Sequence, residues 1–481
     1  MTKRLPRNKQ LIIIGGGASG LAASCIAAKH GIDTLLIEKN SKLARKLLAS
    51  GNGRCNLLNA GEPIYFGDSK FAKSVLNNCS FNRLVEFFNS LGLVLKQEEG
   101  GRIYPTTGRA DTVLDCLLRP TKNSSVSINL NERAKSIEPL DTGFKLVTDK
   151  SEYICDNLLI AGGSIASPKL GGTNDMYNML MPLGFNMVAP KPALCGIDCD
   201  MKPYISLDGT RLMAICTLVC DDKPIATSIG EVLFSKRGLS GVCIMQLARF
   251  LPGNTENCHI YLDFSPTLGI DYCLEYMYSQ EVYYNNNNSY MKPEKTFDIN
   301  TNSKLDNDIN KPDCKTSNTN EPNNINSNNP DCTNTNKICN ISINKPFYMG
   351  LVKPSDIYKN TQIALDFLQS RLTILNKEDI LLGALPSKLA HICTKNSLNE
   401  TAKAVTALKF CGLSPRGFEH AQVAAGGIST KNIDPSTMQT VYSNLYISGE
   451  TLNVDGDCGG YNLMFAFASG ILAAMHVAGK Y

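Results

Sequence analysis

The chain has 481 residues, 43% of them hydrophobic, which is long for one hydrophobic core and predicts two or three domains. A formal net charge of +4 is too small to indicate a nucleic-acid-binding protein. No run of the sequence approaches the ~18 uninterrupted apolar residues that a membrane span requires, and the basic start lacks the apolar stretch of a signal peptide. We therefore expect a cytoplasmic protein without a membrane span.

Cysteine is frequent, with eighteen residues, but the cysteines are scattered and form no CxxC pair. The closest spacings are Cys195/Cys199 and Cys216/Cys220, each of the form CxxxC. Because no secretory signal accompanies them, we expect free thiols in a reducing cytosol rather than disulfides. We expect no metal site either.

The chain begins with a predicted strand, a glycine turn and a helix. Apolar residues 11–14 precede GGGASG at 15–20, an alanine-rich helix follows, and a second apolar strand ends at Glu38. Gly15 allows the turn off the strand, Gly17 leaves room for a pyrophosphate, and Gly20 lets the helix pack close to the sheet. The helix start favours phosphate, and Glu38 can accept hydrogen bonds from ribose hydroxyls. The pattern predicts dinucleotide binding, with FAD or NAD favoured over a 2′-phosphate cofactor.

Two further glycine turns follow along the chain. Residues 50–53 read SGNG, and Arg54 adds a cation beside a site that already expects a pyrophosphate. Cys55 is a candidate redox thiol, although a lone cysteine is more often a packed small residue. A buried strand over residues 157–160 then ends at Gly162-Gly163, where glycines at the carboxyl end of a parallel strand lie at the ligand edge of an open sheet. These turns fit one extended cofactor that touches several strand ends.

Between these turns and the chain end the elements change character. Helices are predicted at 81–92 and 110–118, and strands at 125–137 and 143–148. Short β-like runs from residue 191 onward predict an antiparallel insert: 212–220, 224–229, 232–234 and 259–264. A helix is predicted at 271–278, and the Asn-rich segment 285–345 is predicted to be disordered or a long loop without chemistry. Helices resume at 355–372, 376–395 (interrupted at Pro386) and 400–410.

The end of the chain repeats the arrangement of its start. A buried strand over residues 445–447 ends at Gly449-Glu450, and the polar glycine turn 455–462 leads into an apolar helix over residues 463–477. A second anion or a carbonyl oxygen could bind at this helix start.

At these residues the chain resembles a bacterial family of single-Rossmann FAD flavoproteins. Its members are labelled NAD(P)/FAD-dependent oxidoreductases and include the aminoacetone oxidase family and bile-acid ring reductases. The resemblance covers the chain except the Asn-rich insertion. The segments that carry it are GGGASG (15–20), SGNGRCN (50–56), GRIYP (101–105), AGG (161–163), FSKRGLSG (234–241), AQVAAGG (421–427) and GETLNVDGDCGGYN (449–462).

The resemblance implies an α/β fold in which both chain ends, 1–190 and 418–481, form a Rossmann-type FAD-binding domain. It also implies an inserted antiparallel β-barrel-like and helical substrate domain at 191–417. It would place Glu38 on the adenosine ribose, Gly449-Glu450 along the ribityl or pyrophosphate portion, and residues 460–462 at the pyrimidine edge of the flavin. The predicted cofactor-binding residues are Gly15, Gly17, Ala18, Ser19, Gly20, Glu38, Lys39, Arg45, Lys46, Asn52, Gly53, Arg54, Ala134, Gly162, Gly163, Gly449, Glu450, Gly459, Gly460, Tyr461 and Asn462.

The predicted function is an FAD-dependent oxidoreductase that transfers hydride between flavin and a small-molecule substrate. NAD(P)H is a candidate transient reductant, since only one G-x-G-x-x-G is present, and oxygen or a quinone is a candidate acceptor. No general acid or base is assigned; Arg54, Cys55 and Tyr461 are weak candidates, and packing on the cofactor is the better reading of Tyr461. A flavin-bound RNA-modifying protein, which the missing basic face disfavours, and a non-catalytic flavin sensor are the alternatives.

Overall fold

The computed structural model of the protein describes residues 7–269 and 360–480. The predictions for the Asn-rich segment 285–345, for the helix at 271–278 and for the first residues of the helix at 355–372 lie outside the described residues.

Strands and helices alternate through the first half of the chain. The described strands are β1 Arg7–Ile14, β2 Thr34–Ile37, β3 Leu58–Asn59, β4 Tyr65–Gly67, β5 Leu95–Gln97, β6 Arg102–Pro105, β7 Val126–Asn129, β8 Ala134–Pro139, β9 Phe144–Thr148, β10 Glu152–Ile160, β11 Met187–Ala193, β12 Ile197–Asp198, β13 Arg211–Cys220, β14 Lys223–Ser235, β15 Gly238–Ser240, β16 Cys258–Asp263, β17 Leu408–Phe410, β18 Ser414–Pro415, β19 Val423–Ile428, β20 Leu445–Ile447 and β21 Val454–Gly456. The described α-helices are α1 Ala18–Lys29, α2 Arg45–Ala49, α3 Ser69–Asn78, α4 Phe81–Ser90, α5 Ala110–Leu118, α6 Asp175–Leu180, α7 Val242–Leu247, α8 Ser265–Leu268, α9 Asn360–Arg371, α10 Ser387–Cys393, α11 Leu398–Thr406 and α12 Tyr461–Val477.

The central sheet has a parallel core in the order β7-β2-β1-β10-β20. Its central strands carry apolar runs because both faces of the sheet are buried: Leu11, Ile12 and Ile13 of β1, whose side chains alternate between the faces, are all fully buried. The first half of β10 also pairs with β9, which leads antiparallel into β8. All five parallel strands therefore end at the same edge of the sheet, where ligands bind in open α/β folds.

The two ends of the chain meet in this sheet and in the helices that cover it. β20 extends the sheet beside β10, and α12 packs on α1. The approach is close: a Cβ at Gly470 would lie 2.2 Å from the carbonyl oxygen of Ser19. The predicted fold class, a Rossmann-type domain made from both chain ends, is confirmed.

A second sheet lies in the middle of the chain, in the order β17-β16-β13-β14-β15-β12-β18. All of its pairings are antiparallel, and α9–α11 join it in a separate hydrophobic core. The predicted antiparallel insert with a helical part is therefore present. The domain boundaries at residues 190/191 and 417/418 stay predictions; β11 and β19, which pair with each other, lie close to them.

Several predicted elements are corrected by the structure. The strands expected at 224–229 and 232–234 form the single strand β14, and the helix expected over 376–395 is reduced to a 3₁₀ turn at Lys377–Asp379 and to α10 after Pro386. The strand expected over 125–137 is divided into β7 and β8, because Asn131 turns in a left-handed conformation (φ 53°) and donates from its N–H to the carbonyl of Asn40. The helix expected over 400–410 ends at Thr406, because Leu408 and Phe410 pair with β16 as a strand. Pairing with distant segments is not visible in local periodicity.

The cysteine prediction is wrong at one pair. Cys220 and Cys258 stand directly opposite each other on β13 and β16, with Cα atoms 4.1 Å apart, and form a disulfide. Their separation of 38 residues gave no sign of this cross-strand pairing. In the described ranges no helix combines the length and the apolar character needed to cross a membrane.

Candidate active site

A cavity of about 620 Å³ opens at the carboxyl edge of the parallel sheet. Its wall includes residues that directly follow β1, β2, β10 and β20. It gathers most of the predicted cofactor-binding residues, namely Gly15, Gly17, Ala18, Ser19, Glu38, Lys39, Arg45, Lys46, Asn52, Arg54, Gly162, Gly163, Gly449, Glu450, Gly459, Gly460 and Asn462.

The first turn joins β1 to α1 and leaves open space where a ligand would approach. Gly15 has φ 107°, and a Cβ there would lie 2.5 Å from the carbonyl oxygen of Ala161, so only glycine fits. A Cβ at Gly17 would meet no protein atom within 4 Å. No side chain caps the N-terminus of α1, and the first N–H groups of a helix have no partner within it. The turn therefore offers backbone donors to an anion.

Glu38 is held at the end of β2 by backbone groups. Its Oε2 accepts from the N–H of Gly16 at 2.8 Å, and its Oε1 accepts from the N–H of Asn40 at 2.8 Å. Asn40 in turn accepts from Arg45 at 3.1 Å. A carboxylate has about four acceptor positions, so Glu38 can still accept from a ribose hydroxyl. Asn40 also lines the cavity, but it was not among the residues predicted from the sequence. Its position two residues after Glu38 could have indicated it.

Glu450 follows β20 and forms polar contacts with residues from other parts of the chain at the cavity. Its Oε2 lies 2.6 Å from the Nζ of Lys46, and its Oε1 accepts from Ser164 Oγ at 2.7 Å and from the N–H of Ala424 at 3.0 Å. Lys39 is similarly engaged, donating to Thr173 at 2.8 Å. Burial lowers the pKa of Lys39.

The second turn joins β21 to α12. Gly459 and Gly460 have φ 134° and 109°, and a Cβ at Gly460 would lie 2.5 Å from the carbonyl oxygen of Leu58. No side chain caps α12. Asn462 does not point its amide at a ligand: its Oδ1 accepts from the N–H of Gly456 at 2.7 Å, and its Nδ2 donates to the carbonyl of the same residue at 2.9 Å.

A buried polar cluster lies beside the second turn and was missed by sequence reasoning. This acid cluster consists of Gln246, Arg249, Asp455 and Asp457, and it joins the inserted sheet region to the chain end. Arg249 and Asp455 form an ion pair at 3.0 Å, with side chains only 2% and 1% exposed. Gln246 Nε2 donates to Asp457 Oδ2 at 2.8 Å. Burial raises the pKa of Asp455 to about 6 and also raises the pKa of Asp457.

Four predicted residues do not form the cavity wall. Gly20 packs against the first turn, since a Cβ there would lie 2.0 Å from the carbonyl oxygen of Gly15. Gly53 ends a short 3₁₀ turn after α2, and Ala134 is buried at the start of β8. Tyr461 is buried at the first position of α12, where its carbonyl accepts from the hydroxyl of Tyr65 at 2.8 Å.

The weak catalytic candidates are constrained in different ways. Cys55 is fully buried and outside the cavity wall, and burial raises its pKa to about 12. Burial also raises the pKa of Tyr461 to about 12. Arg54 does line the cavity, but its guanidinium stacks 4.2 Å from the ring centroid of Tyr104 and pairs with Glu98 at 2.5 Å. In the described ranges no three His, Cys, Asp or Glu side chains gather as a metal site.

The cavity fits an extended dinucleotide such as FAD. Space for a ligand lies beside Gly17 and Gly163, where a Cβ would meet no protein atom within 4 Å. Two helix N-termini without side-chain caps, those of α1 and α12, adjoin the same cavity. Such termini favour negative charge, as on a pyrophosphate or on a reduced flavin.

The fold and this cavity define a Rossmann-type FAD-dependent oxidoreductase. Within that class, the chain belongs to the family described as the HI0933-like protein Rossmann domain, whose model matches residues 9–476.

Two curated relatives align over nearly their whole length. The chain is 29% identical to a 3-dehydro-bile acid delta(4,6)-reductase of Clostridium scindens (strain ATCC 35704 / DSM 5676 / VPI 13733 / 19), over 97% of this chain and 98% of the relative. It is 22% identical to a ribosomal RNA dihydrouridine synthase of Haemophilus influenzae (strain ATCC 51907 / DSM 11121 / KW20 / Rd), again over 97% and 98%.

Among solved structures, the chain is similar to the 3-ketosteroid-delta4-(5alpha)-dehydrogenase from Rhodococcus jostii RHA1. The identity is 13%, the coverage is 99% of this chain and 98% of that chain, and the TM-score is 0.46. A flavocytochrome c3 fumarate reductase in its open conformation matches at 14% identity over 98% and 79%, with a TM-score of 0.41.

Proposed function

We propose that this oxidoreductase reduces a carbon–carbon double bond conjugated to a carbonyl group in a small molecule, with electrons that NAD(P)H delivers to bound FAD. The names of the two full-length relatives support this bond type. A delta(4,6) system beside a 3-oxo group is a conjugated enone. The uracil ring that becomes dihydrouracil likewise has its double bond next to a carbonyl.

The observation that carries the proposal is the composition of the cavity wall. One part consists of glycine turns and helix starts from the Rossmann-type domain. Another part is apolar. It consists of Leu194, which follows β11, Val242 at the start of α7, and Val423 at the start of β19. A volume of about 620 Å³ lies in the range typical of small-molecule sites. A polar cofactor region beside an apolar wall suits an apolar substrate with one carbonyl.

The chain's own residues then have distinct roles. Bound FAD would supply the hydride chemistry. The amides at the start of α1 would bind its pyrophosphate, and Glu38 would accept from a ribose hydroxyl. The start of α12 would stabilise the negative charge of a reduced flavin. The Lys46–Glu450 pair fixes α2 against the segment after β20, at the wall between these two regions.

NAD(P)H would bind transiently in the same cavity, since the sequence has a single G-x-G-x-x-G. The cytoplasmic location expected from the sequence agrees with a supply of this reductant and stays a prediction.

Anaerobic absorbance spectroscopy of the purified flavoprotein tests the proposal. We expect NADH or NADPH to bleach the flavin band, and a 3-oxo-delta(4,6) bile acid to restore it. The matched control is the corresponding saturated 3-oxo bile acid, which has the same carbonyl and no conjugated double bond and should leave the flavin reduced. Restoration of the band by both compounds contradicts reduction of a conjugated double bond, and restoration by neither contradicts an apolar enone as the substrate.

Ribosomal RNA is the second candidate substrate, because a full-length relative is named for it. In the same assay an unmodified uridine-containing rRNA fragment would restore the flavin band if the chain modified RNA. Restoration by the RNA alone, with no response to the bile acid, would favour that alternative. Restoration by oxygen alone would favour an oxidase, and a flavin that no reductant bleaches would favour a sensor.

A further inference from the structure

Asp457 combines burial in the cavity wall with one unpartnered oxygen. The residue is 2% exposed and lines the cavity. Its Oδ2 accepts from Gln246, whereas its Oδ1 has no hydrogen-bond partner. Leaving a buried carboxylate oxygen unsatisfied is costly, so such an atom either meets a ligand or carries a proton. Among the described residues, the other unpartnered buried atom in the cavity wall, the Oδ1 of Asn56, is also an acceptor. Arg249 has unpartnered donors in the same cluster, Nε and Nη1, but its guanidinium pairs with Asp455 and donates no hydrogen bond to Asp457.

The groups around Asp457 come from three elements. Arg249 follows α7, Asp455 belongs to β21, and Cys458 and Tyr461 continue into α12. Arg249 lowers the pKa of Asp457, but burial outweighs it and raises that pKa above the ordinary value. Arg249 forms its ion pair with Asp455, so the positive charge is shared.

The side chain that fixes Asp457 is itself fixed from the inserted sheet. Gln246 is fully buried, and its Oε1 accepts from Ser228 Oγ at 2.6 Å. This leaves the Nε2 of Gln246 to donate to Asp457, which sets the rotamer of the carboxyl group. The chain Ser228–Gln246–Asp457 therefore links β14, α7 and the turn before α12.

We propose that Asp457 holds the proton that the substrate receives, and that Gln246 is its positioning residue. The inference rests on the proposed reduction of a conjugated double bond. It assigns an acid that neither the sequence motifs nor the family match identified.

In the proposed step the substrate receives a hydride and a proton at neighbouring carbon atoms. The β-carbon of the enone accepts a hydride, with its two electrons, from the reduced cofactor. The electrons of the C=C bond then form a new C–H bond at the α-carbon with the proton of Asp457. The O–H bond of the carboxyl group breaks, and the resulting carboxylate regains a proton from water. NAD(P)H restores the reduced cofactor by giving up a hydride.

Asp457→Asn keeps an acceptor for Gln246 but removes the acidic proton. We expect reoxidation of the flavin by the enone to slow by ~10²–10⁴-fold, the range of general acid catalysis. We expect FAD affinity and the rate of flavin reduction by NAD(P)H to be unchanged. Asp457→Glu should recover part of the rate. A weaker affinity for FAD with unaltered reoxidation would show that Asp457 binds the cofactor instead, and would overturn the proposal.

Infrared difference spectroscopy provides a readout without turnover. At about pH 5–6, above the ordinary aspartate pKa, Asp455 also holds a proton, so we expect two protonated-carboxyl C=O bands, of which Asp457→Asn abolishes one and Asp455→Asn the other. Absence of a band that only Asp457→Asn removes overturns the assignment. The result separates the two proposals: if no enone reoxidises the wild-type flavin, the proposed function fails, whereas the band still reports whether Asp457 holds a proton.

A pH profile tests the positioning residue. The proton donor works while protonated, so reoxidation should slow as pH rises through the pKa of Asp457. The hydrogen bond from Gln246 stabilises the carboxylate and lowers that pKa. In Gln246→Met the slowing should therefore move to higher pH. Thr227→Val is the matched control: Thr227 is the buried neighbour of Ser228 on β14, its hydroxyl pairs with that of Thr217 at 3.1 Å, and the variant should leave the profile in place. Equal profiles for all three proteins would contradict the positioning role.

Discussion

The two strand–glycine–helix turns of this protein share a backbone design and differ in the side chains beside them. The turn before α1 is bordered by open space at Gly17, and Glu38 beside it accepts from two backbone N–H groups and from Asn40 Nδ2. The turn before α12 adjoins the acid cluster of Gln246, Arg249, Asp455 and Asp457. Both can attract negative charge, and beside the second turn burial raises the pKa of Asp455 and of Asp457.

This difference separates binding from chemistry. A turn that only holds a phosphate needs donors and space, which glycine and a helix start provide. A turn that also exchanges a proton needs an ionisable group with a shifted pKa. Such a shift requires burial and a partner from elsewhere in the fold. In this protein that partner region is the inserted sheet with α7, from which Gln246 and Arg249 reach Asp457 and Gly456 at the second turn.

The largest effect is expected from breaking the acid cluster. Arg249→Met removes the ion-pair partner of Asp455 and leaves that buried carboxylate without a compensating charge. We expect the free energy of unfolding at pH 8 to fall by about 3–5 kcal/mol. Chemical denaturation of the variant and the wild-type protein measures this difference.

The loss should depend on pH in a defined direction. Asp455 has a pKa of about 6 even beside Arg249, and without the cation its pKa rises further. A carboxyl group with a raised folded-state pKa disfavours folding only when it is ionised, so the loss should shrink as pH falls toward 5, where Asp455 takes up a proton. Arg211→Met is the matched control: its pair with Glu231 is 3.5 Å long and exposed, and should contribute ~1 kcal/mol or less. Equal losses for the two variants would contradict a buried role for Arg249.

An intermediate effect is expected at the first turn. Gly17→Ala adds a methyl group where no protein atom lies within 4 Å, so the apoprotein should lose under ~1 kcal/mol of stability, mainly from a poorer helix N-cap. The methyl group would instead meet the bound pyrophosphate. An overpacking cost of ~1–3 kcal/mol corresponds to ~10–100-fold weaker FAD binding. Fluorescence titration of the apoprotein with FAD measures the affinity.

Two other glycines act as controls for that measurement. Gly253→Ala also adds a methyl group in open space, but outside the cavity wall, and should leave FAD affinity unchanged. Gly20→Ala places a Cβ 2.0 Å from a backbone oxygen and should destabilise the protein itself. If Gly17→Ala binds FAD as tightly as the wild-type protein, the first turn does not hold the pyrophosphate.

The first turn could be predicted from sequence, and the acid cluster could not, for a physical reason. Gly15, Gly17 and Glu38 act through local geometry: a strand, a turn and a helix within one short segment. Gln246 and Asp457, by contrast, are 211 residues apart, and their hydrogen bond depends on how the inserted sheet packs on the chain end. The aspartates were visible in the glycine-rich segment 455–462, but their burial was not.

The same limit explains the errors in the elements. β17 pairs with β16, and the Cys220–Cys258 disulfide joins opposite positions of two strands. Local periodicity predicted α5 over Ala110–Leu118 correctly because an amphipathic helix carries its pattern within itself. Contacts between distant segments carry no such pattern, so a strand end or a thiol partner is found only in the folded chain.

The smallest effect is expected where the two chain ends touch beside the first turn. The hydroxyls of Ser19, on α1, and Ser448, which follows β20, lie 2.5 Å apart and are buried. Ser448→Ala should lower the free energy of unfolding by ~0.5–1.5 kcal/mol, because one neutral hydrogen bond is lost.

A double-mutant cycle makes that prediction specific to the contact between the ends. Ser448 Oγ also donates to the carbonyl of Ile160 at 3.5 Å, so Ser448→Ala alone measures more than the contact between the two hydroxyls. Ser19→Ala in the Ser448→Ala background should cost less than Ser19→Ala alone, since its partner is already absent. Chemical denaturation of the four proteins gives the coupling energy. Strictly additive losses would mean that the hydroxyls stabilise their own segments separately. The close approach of α12 at Gly470, and not this polar contact, would then hold the first turn against the chain end.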